Sequence, residues 1–358
     1  MVSIKWDVTY KCNLICGHCI NGNYLTNKDN EIVYEDMVKV INKINDNIPV
    51  GYIHFWGGEP LTHPDILPFF KYLETQGIQF GFNTNGLLLN EKNFEYLASL
   101  NCLTNIVVSL EGPTAEVNDA IRGRNIFNVI MKRIRMISAY KRENPDCKIK
   151  IVVNTVITSM NYGTIGDIID LCVREDVDSL QLLEFIEDGN GVGKNYSLTD
   201  EMFMEAITTV AKRFTLGCDG LEIVPKFCRP LVKDYIEKCL HLKFPLVIHG
   251  CGAGATTLFL DNKGNVYPCD RSRKYYNRQY SLLDEDFFSV WESEDFKLPF
   301  SRYYGDELYR TLIPCNGCKY LGDVCFPCHL SREADVDAVM HNCNLLDNMM
   351  KEVDGNEL

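Results

Sequence analysis

The stretch Cys12-Asn13-Leu14-Ile15-Cys16-Gly17-His18-Cys19 places three cysteines within eight residues near the start of the chain. A [4Fe–4S] cluster needs one thiolate on each of its four irons, and this loop offers three. One iron would then lack a protein ligand, and an open metal position is where a small molecule binds and reacts. A structural zinc ion, completed by His18 or by a distant residue, is the alternative. Disulfide bonds are disfavoured because three is an odd number and no signal peptide precedes the stretch.

The composition is that of a globular protein. The chain has 358 residues, enough for one large domain and a smaller one, with 46% hydrophobic and 24% charged residues. No apolar run reaches the roughly 18 residues that a membrane-spanning helix needs. Residues 1–10 are typical of a strand that leads into the cysteine stretch, not of a signal or transit peptide. We therefore predict a cytoplasmic protein without a membrane partner, and its many free thiols suit a reducing compartment.

The net charge disfavours one class of partner, and the positions of the cysteines indicate where metals bind. The net charge is −13, and the sequence has no long basic run, so a nucleic-acid partner is not expected. Sixteen cysteines are unevenly distributed, with three in the first stretch and seven between Cys251 and the end. Two separate metal-binding regions follow from this distribution.

Strand-like and helix-like segments alternate along the first two thirds of the chain. Six βα units in succession predict a parallel sheet with helices outside it, curled into a partial (β/α)6 barrel that resembles a TIM barrel. Ligands of such folds lie at the carboxyl ends of the strands, where the cysteine stretch follows the first strand. The predicted strands are 3–10, 51–56, 78–84, 105–110, 148–157 and 179–186, and the predicted helices are 33–47, 64–76, 90–100, 127–142, 165–175 and 199–214.

The sequence predicts three regions. Residues 1–215 form the partial barrel, 216–248 form a bridging region with one helix near 231–240, and 249–358 form a small cysteine-rich domain. Within the last region, 257–260 and 265–267 predict a β-hairpin with Gly264 in its turn. The fold class is therefore α/β, with an iron–sulfur domain after the barrel.

The first cysteine stretch resembles the signature of the radical S-adenosylmethionine (SAM) enzymes. Trp56-Gly57-Gly58-Glu59-Pro60 follows the second strand and resembles the GGE motif of that family. The resemblance implies a partial barrel in which the amino and carboxylate groups of SAM chelate the open iron. One electron then cleaves SAM to a 5′-deoxyadenosyl radical that abstracts hydrogen. It assigns Gly57, Gly58 and Glu59 to the SAM amino group, and His18, where relatives commonly carry an aromatic residue, to a ring contact with SAM.

Further SAM contacts follow from the same resemblance. Ser109-Leu110-Glu111-Gly112 comes directly after the fourth strand, where relatives carry an acidic residue before glycine. The resemblance implies that Glu111 accepts the ribose hydroxyl groups and that Ser109 points at the SAM carboxylate. Arg122, followed by glycine, is a candidate partner of the same carboxylate, although a solvated arginine at a helix start is the alternative.

The seven later cysteines resemble the SPASM extension of radical SAM enzymes. Their order is Cys251, Cys269, Cys315, Cys318, Cys325, Cys328 and Cys343. The resemblance implies one auxiliary [4Fe–4S] cluster on Cys251, Cys269 and Cys328, with Cys239, Cys228 or no further cysteine as its fourth ligand. A second auxiliary cluster would use the other four cysteines. Taken alone, the two C-x2-C pairs would also suit zinc.

Asp270 follows Cys269 directly and is the candidate general base. A similar Pro-Cys-Asp occurs in anaerobic sulfatase-maturing enzymes, and the resemblance implies that Asp270 takes a proton from the substrate while an auxiliary cluster takes an electron. A carboxylate that only caps backbone amides at the end of the hairpin is the alternative.

The predicted function is abstraction of hydrogen from a residue of a peptide or protein, followed by an oxidative modification. Relatives form crosslinks or thioethers, invert stereocentres or make formylglycine. Predicted partners are a reductant such as flavodoxin or ferredoxin and a separate leader-binding protein, because the chain starts at the first strand. Oxidation of a small metabolite such as a sugar or cyclitol alcohol is one alternative, and a non-catalytic iron–sulfur or zinc scaffold is the other.

Overall fold

The computed structural model describes residues 1–25, 31–227, 231–246, 252–275, 278–293, 296, 316–318 and 321. The strands of these ranges are β1 (Val2–Thr9), β2 (Val50–Gly57), β3 (Gln79–Thr84), β4 (Leu103–Ser109), β5 (Lys150–Ile157), β6 (Ser179–Glu184), β7 (Glu222–Lys226), β8 (Thr257–Leu260), β9 (Asn265–Tyr267) and β10 (Tyr280–Ser281). The helices are α1 (Tyr34–Asn45), α2 (Ile66–Gln76), α3 (Glu91–Ala98), α4 (Ala115–Arg122), α5 (Ile126–Glu143), α6 (Ile165–Arg174), α7 (Asp200–Leu216), α8 (Leu231–Asp234) and α9 (Phe287–Trp291).

All ten of these strands belong to one sheet. Its order is β10-β9-β8-β1-β2-β3-β4-β5-β6-β7. Strands β1 to β7 are consecutive and parallel, β8 pairs in parallel with the other edge of β1, and β9 and β10 are antiparallel. The predicted α/β class with a mainly parallel sheet is confirmed.

The main core lies between the sheet and the helices that connect its strands. On β1, Ile4 and Trp6 are fully buried, and the Trp6 ring lies 5.8 Å from Phe55 of β2 and 5.6 Å from Phe69 of α2. Helix α1 buries residues at helical spacing, among them Met37 and Ile41. In the described ranges, no helix combines the length and the apolar character that crossing a membrane requires.

Local signals fix several boundaries as predicted. Gly77 ends α2 with a φ of 67°, a left-handed conformation that glycine adopts without strain. The Asn90 side chain accepts a hydrogen bond from the backbone N–H of Asn93 and starts α3. Gly264, with a φ of 80°, lies in the turn of the β8–β9 hairpin, whose strands have the predicted bounds.

Two elements were not predicted. Strand β7 lies in the bridging region and adds a seventh parallel strand beside β6, and α4 lies between β4 and α5. The predicted helix over 231–240 is divided into α8 and a π-helical turn, Tyr235–Cys239. The sheet includes strands from all three predicted regions, whose boundaries stay a prediction.

Candidate active site

The cysteine loop begins where β1 ends, at the carboxyl edge of the parallel strands. Cys16 is buried, and Cys12 and Cys19 are partly buried; none of the three forms a disulfide. The backbone N–H of Leu14 points at the Cys12 sulfur at 3.4 Å, and the Asn85 amide lies 3.8 Å from the same atom. The Cys16 thiol points at the carbonyl oxygen of Arg122 at 3.8 Å.

The thiols are costly to ionise in this position without a cation. Burial raises the pKa of Cys12 and Cys16 and raises that of Cys19 to about 11, while Arg122 opposes the shift at each cysteine. A bound metal lowers the pKa of a thiol that coordinates it, because coordination stabilises the thiolate.

The arrangement fits an iron–sulfur cluster better than a zinc ion. Within the described ranges, no three His, Cys, Asp or Glu side chains gather as the ligands of a single metal ion do. A [4Fe–4S] cluster does not require that geometry, because each thiolate binds a different iron. The three loop thiols therefore suit a cluster with one iron open to another ligand.

Gly57 and Gly58 pack directly against the base of the cysteine loop. The N–H of Gly58 donates to Thr9 O at 2.7 Å, and the N–H of Glu59 donates to Lys11 O at 2.8 Å. A Cβ on Gly57 would overlap the Thr9 carbonyl oxygen, and one on Gly58 would overlap that of Lys11. The glycines are thus required for this close approach of two loops.

The Glu59 carboxylate turns inward and connects neighbouring strands. It is 1% exposed and accepts hydrogen bonds from Asn85 N at 2.7 Å, Thr84 Oγ1 at 3.0 Å and Leu61 N at 3.3 Å. Burial raises its pKa to about 7 in spite of these bonds. The Asn85 side chain in turn donates to Asn13 Oδ1 at 2.7 Å, so Glu59 supports the cysteine loop through Asn85.

His18, Glu111 and Arg122 form a buried group beside the loop. Glu111 Oε1 lies 3.2 Å from His18 Nε2 and 2.9 Å from Arg122 Nη1, and Glu111 Oε2 accepts from Val156 N at 2.8 Å. Burial acts to raise the pKa of Glu111, but His18 and Arg122 together hold it below its usual value. Arg122 ends α4 and is 6% exposed, so it is not the solvated arginine of the alternative interpretation.

This group leaves polar atoms available to a ligand. His18 Nδ1 and Arg122 Nε are buried and have no hydrogen-bond partner among the described residues. Ser109, the last residue of β4, is half-buried in the same region and is paired in register with Asn154. The structure thus brings His18, Glu111 and Arg122 together, with both carboxylate oxygens of Glu111 already bonded to protein donors.

A cavity of about 80 Å³ lies between the cysteine loop and the segment after the hairpin. Residues of the loop, of β1 and β2, and of the hairpin segment line it. They are Asp7, Ile20, Asn21, Tyr24, Trp56, Asp188, Asp270, Arg271 and Arg273. The Trp56 indole N–H is buried and has no partner among the described residues. The candidate base Asp270 therefore lines a space beside the cysteine loop, and its carboxylate lies 3.7 Å from Lys5 Nζ.

Arg273 connects the hairpin segment to the cysteine loop. Its guanidinium lies 3.1 Å from the Asp7 carboxylate, donates to Asn21 Oδ1 at 3.2 Å and to the Tyr10 hydroxyl, and lies over the Tyr24 ring at 4.4 Å. Asp7 is 2% exposed, and burial raises its pKa to about 7 against the opposing effect of Arg273. Sequence reasoning missed both residues, although Asp7 is the one carboxylate on β1.

The later cysteines are described only in part. Cys269 follows β9 and is half-buried, with its carbonyl oxygen accepting from Ser272 Oγ at 2.7 Å. Cys318 is exposed in a short turn. The remaining cysteines assigned to auxiliary clusters lie outside the described residues, as does Cys228; they are Cys251, Cys315, Cys325, Cys328 and Cys343.

Comparison with known proteins agrees with this geometry. Residues 6–172 match the model of the Radical SAM superfamily. The mycofactocin maturase MftC of Mycobacterium ulcerans is 28% identical over 296 residues, which cover 82% of this chain and 74% of that protein. The PqqA peptide cyclase of Rhizobium meliloti is 25% identical over 316 residues, which cover 87% of this chain and 78% of that protein.

A solved structure has the same fold. Streptococcus suis SuiB bound to S-adenosylmethionine superposes with a TM-score of 0.71 at 18% identity, covering 94% of this chain and 74% of that chain. SuiB bound to its precursor peptide SuiA gives a TM-score of 0.72 at 19% identity, covering 94% and 73%. This likeness supports the α/β fold of the described residues.

Proposed function

We propose that this chain is a radical SAM enzyme that cleaves SAM reductively and abstracts hydrogen from a residue of a peptide, because residues 6–172 match the model of the Radical SAM superfamily. When bound, the [4Fe–4S] cluster supplies the electron that converts SAM into methionine and a 5′-deoxyadenosyl radical. The observation that carries the proposal is the loop of three closely spaced thiols, on Cys12, Cys16 and Cys19, that lies beside a cavity at the end of β1.

The residues around the loop divide the binding of SAM among them. Cys12, Cys16 and Cys19 hold three irons, and the segment Gly57–Glu59 presents its backbone to the SAM amino group. The Arg122 Nε–H donor and the His18 Nδ1 atom, which have no partner among the described residues, support a contact with a polar ligand that carries an anionic group, as SAM does. Glu111 Oε1 fixes His18 and Arg122, and Oε2, which accepts from Val156 N, keeps a lone pair for a ribose hydroxyl group, while Ser109 contacts the SAM carboxylate.

The relatives' names support a peptide substrate. PqqA peptide cyclase and the SuiB–SuiA complex are both named for a peptide, and each covers more than four fifths of this chain. We infer that the chain removes hydrogen from a precursor peptide and that an oxidative modification follows: a crosslink, a thioether, an epimerised residue or formylglycine. A reductant such as flavodoxin or ferredoxin supplies the electron, and a separate protein presents the leader of the peptide.

Loss of a proton and an electron from the product radical completes an oxidation. Asp270 would accept the proton, and its position in the lining of the cavity and its partial exposure support this role. Two auxiliary clusters would accept the electron, one on Cys251, Cys269 and Cys328 and the other on Cys315, Cys318, Cys325 and Cys343.

The test is SAM cleavage by the anaerobically reconstituted and reduced enzyme. We expect a peptide fraction of the host to accelerate formation of 5′-deoxyadenosine and to gain a mass change. Prior protease treatment of that fraction should abolish both effects. Acceleration that survives protease treatment would instead identify a small metabolite as the substrate and contradict the proposal.

A matched control distinguishes the effect of losing a loop cysteine from the effect of losing a cysteine elsewhere in the chain. Cys16→Ala should abolish 5′-deoxyadenosine formation, whereas Cys147→Ala, at a half-buried thiol after α5, should leave it unchanged. Equal loss in both variants would show that the assay reports general unfolding, not the cluster.

A further inference from the structure

Arg273 lies in the wall of the cavity, and each of its three guanidinium nitrogens contacts a different part of the chain. Its side chain is 13% exposed. Nη1 lies 3.1 Å from Asp7 Oδ2, Nη2 donates to Asn21 Oδ1 at 3.2 Å, and Nε donates to the backbone oxygen of Asp270 at 3.2 Å. Because the guanidinium is planar and rigid, these contacts fix the three partners relative to one another. One side chain therefore joins β1, the cysteine loop and the turn Asp270–Tyr275.

The loop end of this connection lies next to a cysteine of the candidate cluster site. Asn21 follows Cys19 by two residues, and its Nδ2 donates to the Gly57 carbonyl oxygen at 3.0 Å. The Tyr24 ring, which also belongs to the loop, lies 4.4 Å from the guanidinium carbon of Arg273. A change in the position of Arg273 would therefore move it relative to the part of the loop that follows the third cysteine.

The other end of the connection carries the candidate base. Ser272 is fully buried, and its Oγ donates to the Cys269 carbonyl oxygen at 2.7 Å, which closes the turn. Lys5 Nζ of β1 lies 3.7 Å from the Asp270 carboxylate. Asp270 is thus held at its backbone by Arg273 and at its carboxylate by Lys5.

Stability alone does not require an arginine at this position. Loss of hydration offsets most of the attraction within a buried ion pair, and apolar side chains often replace such a pair without loss of stability. An apolar side chain could pack against the rings of Tyr24 and Phe259, which lie 4.4 and 5.0 Å from the guanidinium carbon. It could not hydrogen-bond to Asn21 and Asp270 at the same time. The arginine differs in that it holds the loop and the candidate base at a fixed separation.

We propose that Arg273 is a positioning residue for proton transfer, which keeps Asp270 at the separation from the cysteine loop at which the substrate radical loses its proton. This rests on the proposed function, in which Asp270 accepts that proton and an iron–sulfur cluster accepts the electron. A carbon that has lost a hydrogen atom then gives up one proton and one electron, and the oxidised product forms. A radical whose proton has no acceptor takes an electron from the assay reductant and a proton from water, which restores the C–H bond.

The test is the ratio of 5′-deoxyadenosine to modified peptide in the reconstituted and reduced enzyme, with the peptide that accelerates SAM cleavage. Arg273→Lys keeps a cation beside Asp7, so this variant should fold and retain its iron, but an ammonium group lacks the planar fork that reaches three partners. We expect the ratio to rise roughly tenfold to a hundredfold, because a displacement of about 1 Å can cost that much in rate. In D2O, unmodified peptide recovered from the variant should carry one carbon-bound deuterium.

Arg278→Gln is the matched control. Arg278 is an exposed arginine that pairs with Glu285 and does not line the cavity, so its substitution should leave the ratio unchanged. A wild-type ratio in Arg273→Lys, whether activity is retained or falls in parallel with iron content, would give Arg273 a structural role only and overturn the proposal.

A double variant shows whether Arg273 acts through Asp270. Asp270→Asn should raise the ratio by itself, and adding Arg273→Lys should raise it no further. A wild-type ratio in Asp270→Asn, or a further increase in the double variant, would overturn the positioning role. A peptide fraction that does not accelerate SAM cleavage by the wild type would instead contradict the proposed function, so the two failures are distinguishable.

Discussion

At the scale of single residues, Gly58 lets the backbone after β2 approach the cysteine loop closely, because glycine has no side chain. A Cβ there would overlap the backbone of Lys11, which has no flexible end that can move aside. We predict that Gly58→Ala lowers stability by about 1–3 kcal/mol, as overpacking does, and lowers the iron content per chain. Thermal unfolding and iron analysis measure the two effects.

The matched control for that substitution is Gly163→Ala. A Cβ at Gly163 would meet only the end of the Glu205 side chain, at 4.0 Å. This variant should bind as much iron as the wild type. If Gly58→Ala also retained full iron, the close approach of the two loops would not be what positions the cysteines.

Another single residue, Asp7, makes the stability of the folded protein depend on pH. Burial raises its pKa from 3.8 to about 7, so the folded protein keeps a proton that the unfolded chain releases. The stability that Asp7 contributes is complete below pH 3.8 and is lost as the pH rises through 7. The loss amounts to about 2–4 kcal/mol over this window.

Asp7→Asn should therefore flatten the dependence of stability on pH. The wild type should lose stability relative to the variant as the pH rises from about 4 to 7, and the difference between the two isolates Asp7 from other titrating groups. Parallel curves of unfolding midpoint against pH would show that Asp7 does not hold a proton in the folded state.

At the scale of elements, Arg273 holds the segment after the hairpin against the cysteine loop. At a pH above about 7, where Asp7 is ionised, removal of Arg273 leaves the Asp7 carboxylate buried without its cation, which costs about 3–5 kcal/mol in comparable pairs. We predict that Arg273→Gln destabilises the protein and speeds iron loss to a chelator, because the contacts with Asn21 and Tyr24 are also lost.

A double-mutant cycle tests this account of Arg273. The same substitution in an Asp7→Asn background should cost less, since no buried charge remains unpaired. Arg271→Gln is the control, because Arg271 lines the same cavity without an ion pair to a described residue. Additive effects of the Asp7 and Arg273 substitutions would contradict a direct coupling between the two elements.

At the scale of the whole molecule, most of the sheet could be predicted from its pattern. The alternation of strand-like and helical segments predicts β1 to β6 because apolar residues on their outer faces pack under helices at regular intervals. Strand β7 was missed because it is only five residues long and contains Pro225, so it resembled a loop. Helix α4 was missed because it has only eight residues and a largely polar surface.

Part of the candidate site could likewise be predicted from the sequence, and part of it could not. Contiguous motifs such as Cys12–Cys19 and Gly57–Glu59 are visible in the sequence, and the resemblance to a known family implies their chemistry. The contacts of Glu111 with His18, and of Asp7 with Arg273, depend on how distant segments meet, and no local pattern encodes them.

The most direct test of the central claim is the iron and acid-labile sulfide content per chain after anaerobic reconstitution. It compares the wild type with a Cys12→Ala, Cys16→Ala and Cys19→Ala triple variant. One cluster on the loop and two on the later cysteines predict about 12 irons, falling to about 8 in the variant. An iron content that does not change in the variant would contradict a cluster on this loop. About 4 irons that fall to nearly none, with zinc present, would keep the loop cluster but exclude the two auxiliary clusters.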